Sequence, residues 1–486
     1  MDLTKNKFFL LFTAFTTGAC VMSLEMTASR VLAPSFGSSI YVWGSLIGMI
    51  MAALAVGYYL GGYLADKRKD IRILFKSLMT AALLVSLIPV IGDLVAKIST
   101  LGGMIYGPMI STLILFCVPM TILAMTSPMV IKFSTDELSD LGISAGMVYS
   151  ISTAGSIAGT FLTAFVMIPN LGSTATILAT AAVIMIISLA GIPKARYIAA
   201  VVFLLPGMIY HGLPDKDLVY STESEYNIIK VYDYPDYNGL KLNYDYAIQS
   251  RVNKREILTG GYWDYFNMGP LLTKTGRILW IGMCVGASPR QLAHFYNATI
   301  DAVEIDPKVV EVAERYFNLT ETEKIRIHVS DGRQYLRKTG QYDIINVDVF
   351  GNGMDIPFHL STREFFSEAK THMTDDGLLM MNAIAAKNDE RVSDALAYTM
   401  KQVFPSVFIV NVEGNRILLA FKQTKNLQDV KDSVKDYDPM LEATANNTIH
   451  NIREFNSDSG IILTDDKSRM DELTFNMMRR MYEVRY

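Results

Sequence analysis

Stretches of about twenty predominantly apolar residues recur through the first 212 residues of this 486-residue chain, and no other feature constrains its folding as strongly. Wound as a helix, such a stretch matches the hydrocarbon thickness of a bilayer and satisfies its backbone polar groups internally. Seven stretches qualify: 8–30, 41–65, 72–96, 105–131, 144–168, 174–192 and 196–212. The last is the shortest and contains Pro206. The first reads as a membrane helix and not a signal peptide, because its apolar run is long, a small-residue cleavage site is lacking and further spans follow. Small residues crowd several spans, with Gly57 and Gly61 in one and Ala154, Gly155, Ala158 and Gly159 in another. At such positions helix backbones can approach closely. Glu25 is the acid placed well inside a span, with Arg30 near the same helix end. It is either one half of a structural pair or a functional group.

Charge divides the chain in the same place. Residues 1–212 hold 12 Lys+Arg and 8 Asp+Glu, whereas residues 213–486 hold 32 and 40. The expectation is a multi-span helical domain over 1–212 and an acidic soluble half. That acidity argues against nucleic-acid binding, which needs clustered Lys and Arg. With the N-terminus inside, Lys5, Lys7, Lys67, Arg68, Lys69, Arg72, Lys76, Lys132, Lys194 and Arg196 gather on the inner side, and Arg30 and Lys97 outside. Seven spans would put the acidic half outside. Six, with 196–212 lying in the interface, put it in the cytoplasm, and an integral membrane protein with a cytoplasmic soluble half is the expectation. Cys20, Cys117 and Cys284 form no CxxC and no Cys/His cluster, so neither a disulfide framework nor a metal site is expected.

The soluble half changes pattern twice. Residues 213–270 carry alternating, Tyr-rich segments (YNIIKVYDY, LKLNYDYAIQSRV) that read as a small antiparallel sheet turning at Asp236–Gly239. Over 271–486, short apolar runs alternate with helical stretches: 277–282, 299–306, 325–332, 342–348, 377–383, 406–412 and 417–421. Alternation of this kind predicts a parallel, doubly wound α/β sheet of Rossmann-like form, whose ligands sit beyond the C-terminal strand ends. The polar residues of interest fall at those ends. Gly282 and Gly286 in IGMCVGAS allow a sharp turn and close approach to a ligand. Glu304, about 20 residues further on, is placed to accept both hydroxyls of a ribose. Asp331, followed by Gly332, could accept from an adenine amino group, and Asp348 ends the fourth strand. Four suitable offsets along one βαβ series predict a nucleoside site.

These residues resemble the spermidine synthases, aminopropyltransferases on a methyltransferase-like Rossmann fold, over about residues 220–425. The resemblance is carried by ESEYNIIKV, AIQSR, YWDYFNMGPLL, the glycine turn, VEIDP, SDG and the acid after the fourth strand. GACVMSLEMTASRVLAPSFGSSIY and the late ILTDD resemble membrane-fused members of the same group. The resemblance implies that Glu304 holds the ribose of a sulfonium nucleoside and that Asp331 reads its adenine. It implies that Asp348 is the catalytic acid that orients and deprotonates an attacking amine. Tyr262 and Asp264 would line the amine side, Gln249 would form part of the wall, and Asn227 would stand where glutamine is usual. It further implies no prosthetic group or metal, decarboxylated S-adenosylmethionine as co-substrate, a polyamine as partner, and a homo-oligomer.

Three departures leave the substrates open. Val285 stands where the family carries an aspartate for the aminopropyl ammonium, Gly351 stands where a second acid is usual, and Trp263 replaces a polar residue. Desolvating each cation of a polyamine without a carboxylate is costly. Asp355 could substitute. Alternatives are an enzyme using S-adenosylmethionine itself, by cleavage or methyl transfer, and a nucleoside or polyamine sensor or transporter.

Overall fold

A computed structural model describes residues 6–37, 40–68, 70–135, 141–192, 216–243, 248–351, 356–385 and 389–483. They form two compact units: Met1–Lys216 with Thr222–Glu225, and Asp217–Ser221 with Tyr226–Tyr486.

In the first unit, five helices are long and apolar enough to cross a membrane: α1 (Lys7–Phe36), α2 (Ile40–Lys67), α3 (Arg72–Gly102), α4 (Ile105–Ser134) and Leu141–Gly191. The last has 51 residues, about 77 Å if straight at ~1.5 Å per residue, against a hydrocarbon core of ~30 Å. It is broken at Gly172, whose φ of 78° and ψ of 169° lie outside the helical region. The chain doubles back there. On one side of the break a Cβ at Gly155 or Gly159 would fall 1.9 Å from Phe15 O or 2.3 Å from Ala19 O. On the other side Thr180 Oγ1 lies 3.0 Å from Ser23 Oγ. Twenty-one residues along the helix thus advance only four along α1, and the segment is two helices: α5 (Leu141–Leu162), before the break, and α6, the part of Ile168–Gly191 beyond Gly172. Six of the seven expected spans therefore lie within these five helices, and 196–212 falls outside the described residues. The small-residue positions are where backbones touch. A Cβ at Gly57 would meet Thr121 O at 2.3 Å, and one at Gly61 would meet Met125 O at 2.6 Å, so α2 and α4 run in parallel. Lys132–Asp66, 2.8 Å apart, closes that pair at its end. Glu25 is half-buried on α1.

In the second unit a four-stranded antiparallel sheet, β1 (Leu218–Glu223), β2 (Ile228–Asp233), β3 (Tyr237–Leu242) and β4 (Ser250–Asn253), precedes the large one. Its β2–β3 turn is earlier than expected. Asp233 pairs with Asn238 and Tyr232 with Gly239, so Gly239 is inside a strand and Pro235–Asp236 makes the turn. The large sheet contains β5 (Arg277–Ile281), β6 (Thr299–Glu304), β7 (Ile325–Val329), β8 (Tyr342–Val347), β9 (Met373–Ile384), β10 (Ser406–Val412), β11 (Asn415–Phe421) and β12 (Ile452–Glu454), in the order β12-β10-β11-β9-β8-β5-β6-β7. β5 to β9 are parallel. Both faces are buried: Ile278 and Trp280 of β5 face one apolar layer, Leu279 and Ile281 the other. Strands covered on both faces read as continuous apolar runs, which is why these were legible. The expectation of a wholly parallel sheet needs correction. β11 pairs antiparallel with both β9 and β10. Val412 pairs with Asn415, which leaves Glu413–Gly414 as a two-residue turn, with Gly414 at φ 73°, and such a loop can join only antiparallel neighbours.

Candidate active site

The strand order reverses beside β5, whose neighbours are β8 and β6. Open α/β sheets bind ligands at such a switch point, beyond the carboxyl ends of the strands. Here the chain after β5 is forced into a tight turn. Gly282 has φ 87°, and a Cβ on it would fall 2.2 Å from Asp348 O, so β5 and β8 can come together at their ends only around glycine. Asp348 N donates to Ile281 O at 2.9 Å, fixing that closeness. Gly286, at φ 74°, starts α7 (Ala287–Phe295). Between them Cys284 holds φ 51°, a conformation that a side chain rarely adopts.

Two carboxyls flank this turn. Glu304 ends β6. Its Oε2 accepts from Cys284 N at 2.9 Å and its Oε1 from Asp306 N at 3.1 Å. Burial pushes its pKa up to about 7, against the opposing effect of those N–H donors. Asp348, just after β8, accepts from Asn382 Nδ2 at 2.9 Å, and Tyr262 OH lies 3.3 Å from its Oδ2. Burial again dominates and carries its pKa to about 7. Tyr262 is held well above the usual phenol range by burial and then by the Asp348 charge. Cys284 stands between the acids and its thiol is pushed up by burial and by Glu304, so it remains neutral. Among the described residues neither Glu304 nor Asp348 forms an ion pair.

Other expected site residues stand further back. Asp264 is buried in the 3-10 helix Tyr262–Met268 before β5, with Oδ1 accepting from Thr259 N, Thr259 Oγ1 and Gln291 Nε2 and Oδ2 from Gly260 N. Four donors absorb its charge and fasten the segment that presents Tyr262. Gln249 Oε1 accepts from Leu242 N at 2.9 Å, across the gap between β3 and β4. Asn227 Nδ2 donates to Asp306 Oδ2 at 2.9 Å, and Asp306 caps α8 (Pro307–Phe317). Gly332 lets α9 (Gly332–Leu336) pack on β5, since a Cβ there would lie 2.2 Å from Ile281 Cγ2. Asp331 caps α9 through Oδ1 and meets His359 Nε2 at 3.0 Å through Oδ2. The structure therefore brings Tyr262, Gly282, Cys284, Glu304 and Asp348 around one turn, with Asp331 at the end of the next strand. Asp355 lies outside the described residues.

Sequence reasoning missed Cys284, Asn382 and His359 as parts of this edge. Asn382 had a signal, a polar residue ending the apolar run LLMMNA. His359 had none, because its partner is 28 positions away. The ILTDD segment also finds a place here. Asp465 takes two hydrogen bonds from Arg333 at 2.9 and 2.8 Å and one from Thr362 Oγ1 at 2.6 Å. The Arg333 side chain is only 7% exposed and also reaches Glu368.

Residues 262–431 match the family model described as the spermine/spermidine synthase domain. The chain is similar to a probable polyamine aminopropyl transferase of Bifidobacterium longum, at 28% identity over 282 residues, covering 53% of this chain and 63% of that protein. It is also similar to a polyamine aminopropyltransferase of Vibrio vulnificus, at 37% identity over 155 residues, covering 30% of this chain and 50% of that one. The chain thus spans between half and two thirds of these curated relatives. Among solved structures, a probable spermidine synthase from Corynebacterium glutamicum aligns with a TM-score of 0.41 and 16% identity, over 53% of this chain and 98% of that one.

Proposed function

We propose, for a chain whose α/β half belongs to the spermidine synthase-like family, that it is a membrane-anchored aminopropyltransferase. The observation that carries this reading is the pair of buried carboxyls, Glu304 and Asp348, either side of the Gly282 turn, with no ion-pair partner among the described residues. Such a pair is poorly stabilised when empty and suits a ligand that brings hydroxyls to one acid and positive charge near the other. A sulfonium nucleoside does both.

In this reading decarboxylated S-adenosylmethionine lies with its ribose hydroxyls on Glu304. An amine such as putrescine attacks the aminopropyl carbon bonded to sulfur. The new C–N bond forms with the amine lone pair, and the C–S bond breaks with its electrons going to sulfur. The products are methylthioadenosine and an ammonium whose proton passes to Asp348. The amine must be neutral to attack, and a carboxylate titrating near neutrality is matched to that task. Tyr262 orients Asp348, and Asn382 holds its other oxygen. The positive charge of the donor disappears from sulfur as the bond breaks, so no metal is needed to draw off the leaving group.

The same reading places the α/β half in the cytoplasm. Helices α1 and α5 run in parallel, as do α2 and α4, which fits six alternating crossings that return Gly191 to the side of the N-terminus. That side carries Lys7, Lys67, Arg68, Arg72, Lys76 and Lys132, and the other carries Arg30 and Lys97, the bias of a cytoplasmic face. Donor and amine would be drawn from the cytoplasm, and the enzyme would assemble as a homo-oligomer.

The test is product analysis with purified full-length protein. Methylthioadenosine that forms only when putrescine or a related amine is added, together with the longer polyamine, is the expected result. Methylthioadenosine released from S-adenosylmethionine without an amine, or S-adenosylhomocysteine, would overturn it in favour of cleavage or methyl transfer.

A further inference from the structure

Asp331, expected to read an adenine, has one partner on each carboxylate oxygen. Oδ1 accepts from Gln334 N at 2.9 Å as the cap of α9, and Oδ2 faces His359 Nε2 at 3.0 Å. His359 lies on the turn Phe358–Leu360 that follows β8. Its backbone is pinned from beneath, since Arg333 Nη1 donates to His359 O at 3.0 Å. Arg333 is two residues past Asp331 and is itself clamped by Asp465 and Glu368. One buried guanidinium therefore holds the backbone of His359 in place.

A histidine whose Nε2 faces a carboxylate carries its proton there, which leaves Nδ1 as an acceptor. Of the two side chains the imidazole is the outer one, 35% exposed against 20% for Asp331. Phe358 stands edge-on to it with ring centroids 5.7 Å apart, and Phe358 and Ile305, the residue after Glu304, are both exposed at this strand-end edge. An exposed aromatic ring beside an oriented acceptor suits a flat heterocycle with one amino group.

We propose that His359 reads the nucleobase. Its Nδ1 accepts from the exocyclic amino group of adenine, and Asp331 acts behind it as the group that fixes the tautomer and ring orientation, as second-sphere carboxylates do for other histidines. The assignment rests on the nucleoside reading of the site. Hypoxanthine, which presents a carbonyl in place of that amino group, would set lone pair against lone pair and be rejected.

The test is equilibrium binding of methylthioadenosine and methylthioinosine to the full-length, detergent-solubilised protein at pH 8. Wild type should prefer methylthioadenosine. His359→Ala should lower methylthioadenosine affinity roughly tenfold, the worth of one hydrogen bond, leave methylthioinosine affinity unchanged and so erase the preference. His359→Gln, which can donate to Asp331 and still present an acceptor, should restore part of it. An intact or enhanced preference in His359→Ala would overturn the proposal, because Asp331 would then be reading the base directly. An equal loss for both ligands would also overturn it and show that His359 only supports the turn. Binding of neither ligand to wild type would instead reject the nucleoside site itself.

Discussion

Replacing Asp348 by asparagine should make the protein more stable and less active at once. The carboxyl is buried and its pKa rises from 3.8 to about 7, chiefly by desolvation. A carboxyl with a raised native pKa binds more protons folded than unfolded between those values. Stability therefore falls as pH rises through that window, and the full cost is felt above about pH 7. At about 1.4 kcal/mol per pH unit, that cost reaches on the order of 4 kcal/mol, an upper figure because water and local relaxation reduce it. Asparagine keeps the shape and resembles the protonated acid. The advantage of Asp348→Asn should be about 1 kcal/mol at pH 4.5 and approach several kcal/mol by pH 8. At roughly 2–4 °C per kcal/mol for a domain of this size, the difference is read easily from thermal unfolding of the ligand-free protein followed by tryptophan emission at pH 4.5, 6, 7 and 8. Trp263 and Trp280, both buried in the α/β half, report it. Turnover should fall by about 10²-fold or more, and wild-type turnover should climb with pH until about 7 as the carboxylate forms. A stability difference that is constant across the pH range, or a variant less stable at pH 8, would refute the reasoning. Asp348 would then be charged at no cost and could not be the neutral-range base.

Glu304→Ala should remove methylthioadenosine binding, since each ribose hydroxyl loses an ionised acceptor worth about 1.5–3 kcal/mol; unchanged affinity in calorimetry would reject the ribose assignment. With Val285 in place of an acid, wild type should discriminate only weakly in favour of the decarboxylated donor, and Val285→Asp should strengthen that preference; competition with S-adenosylmethionine measures it. Asp465→Ala should lower the unfolding midpoint of the α/β half by several degrees, because it leaves the buried Arg333 with one carboxylate instead of two; the exposed flank of Asp465 keeps the loss near 2 kcal/mol. A fluorescent reporter after Tyr486 should be bright and an exported phosphatase at the same point inactive, and the reverse pattern would sink the cytoplasmic placement.

The parts of the fold that could be read from the sequence are those with local causes. β5 to β9 were visible because burial on both faces makes them apolar runs, and Glu304, Asp331 and Asp348 stood out as candidates because each ends or follows one. The antiparallel end of the sheet was not, because β10 and β11 are as apolar as their parallel neighbours and only the short Glu413–Gly414 link sets their direction. The reversal at Gly172 was expected from length, but the closeness it produces between α1 and α5 depends on where Gly155 and Gly159 land. Residue roles at the site were hardest. Asp264, Gln249 and Asn227 look like polar wall residues in one dimension. Their hydrogen bonds to Thr259, Leu242 and Asp306 become visible only when the turns close.

The site is better understood through what its acids lack than through the acids themselves. Asp301, away from the turn, is also buried, yet Arg277, His328 and Tyr342 hold its pKa below the usual carboxylate range. Glu368, backed by Arg333 and Arg337, is held down to about 2. Charge compensation is thus available in this domain and is used where an acid is structural. Among the described residues Glu304 and Asp348 are given N–H and O–H donors but no cation, and their pKa values rise to about 7. A protein that leaves two buried carboxyls in that state gives up stability at the switch-point edge of its sheet, the place where open α/β sheets bind ligands. A positively charged ligand returns it by lowering both pKa values on binding. The sulfonium of the proposed donor carries that charge in, and the reaction moves it from sulfur to the product amine beside Asp348. The proposed site therefore favours the charged sulfonium donor over the neutral thioether that the reaction leaves.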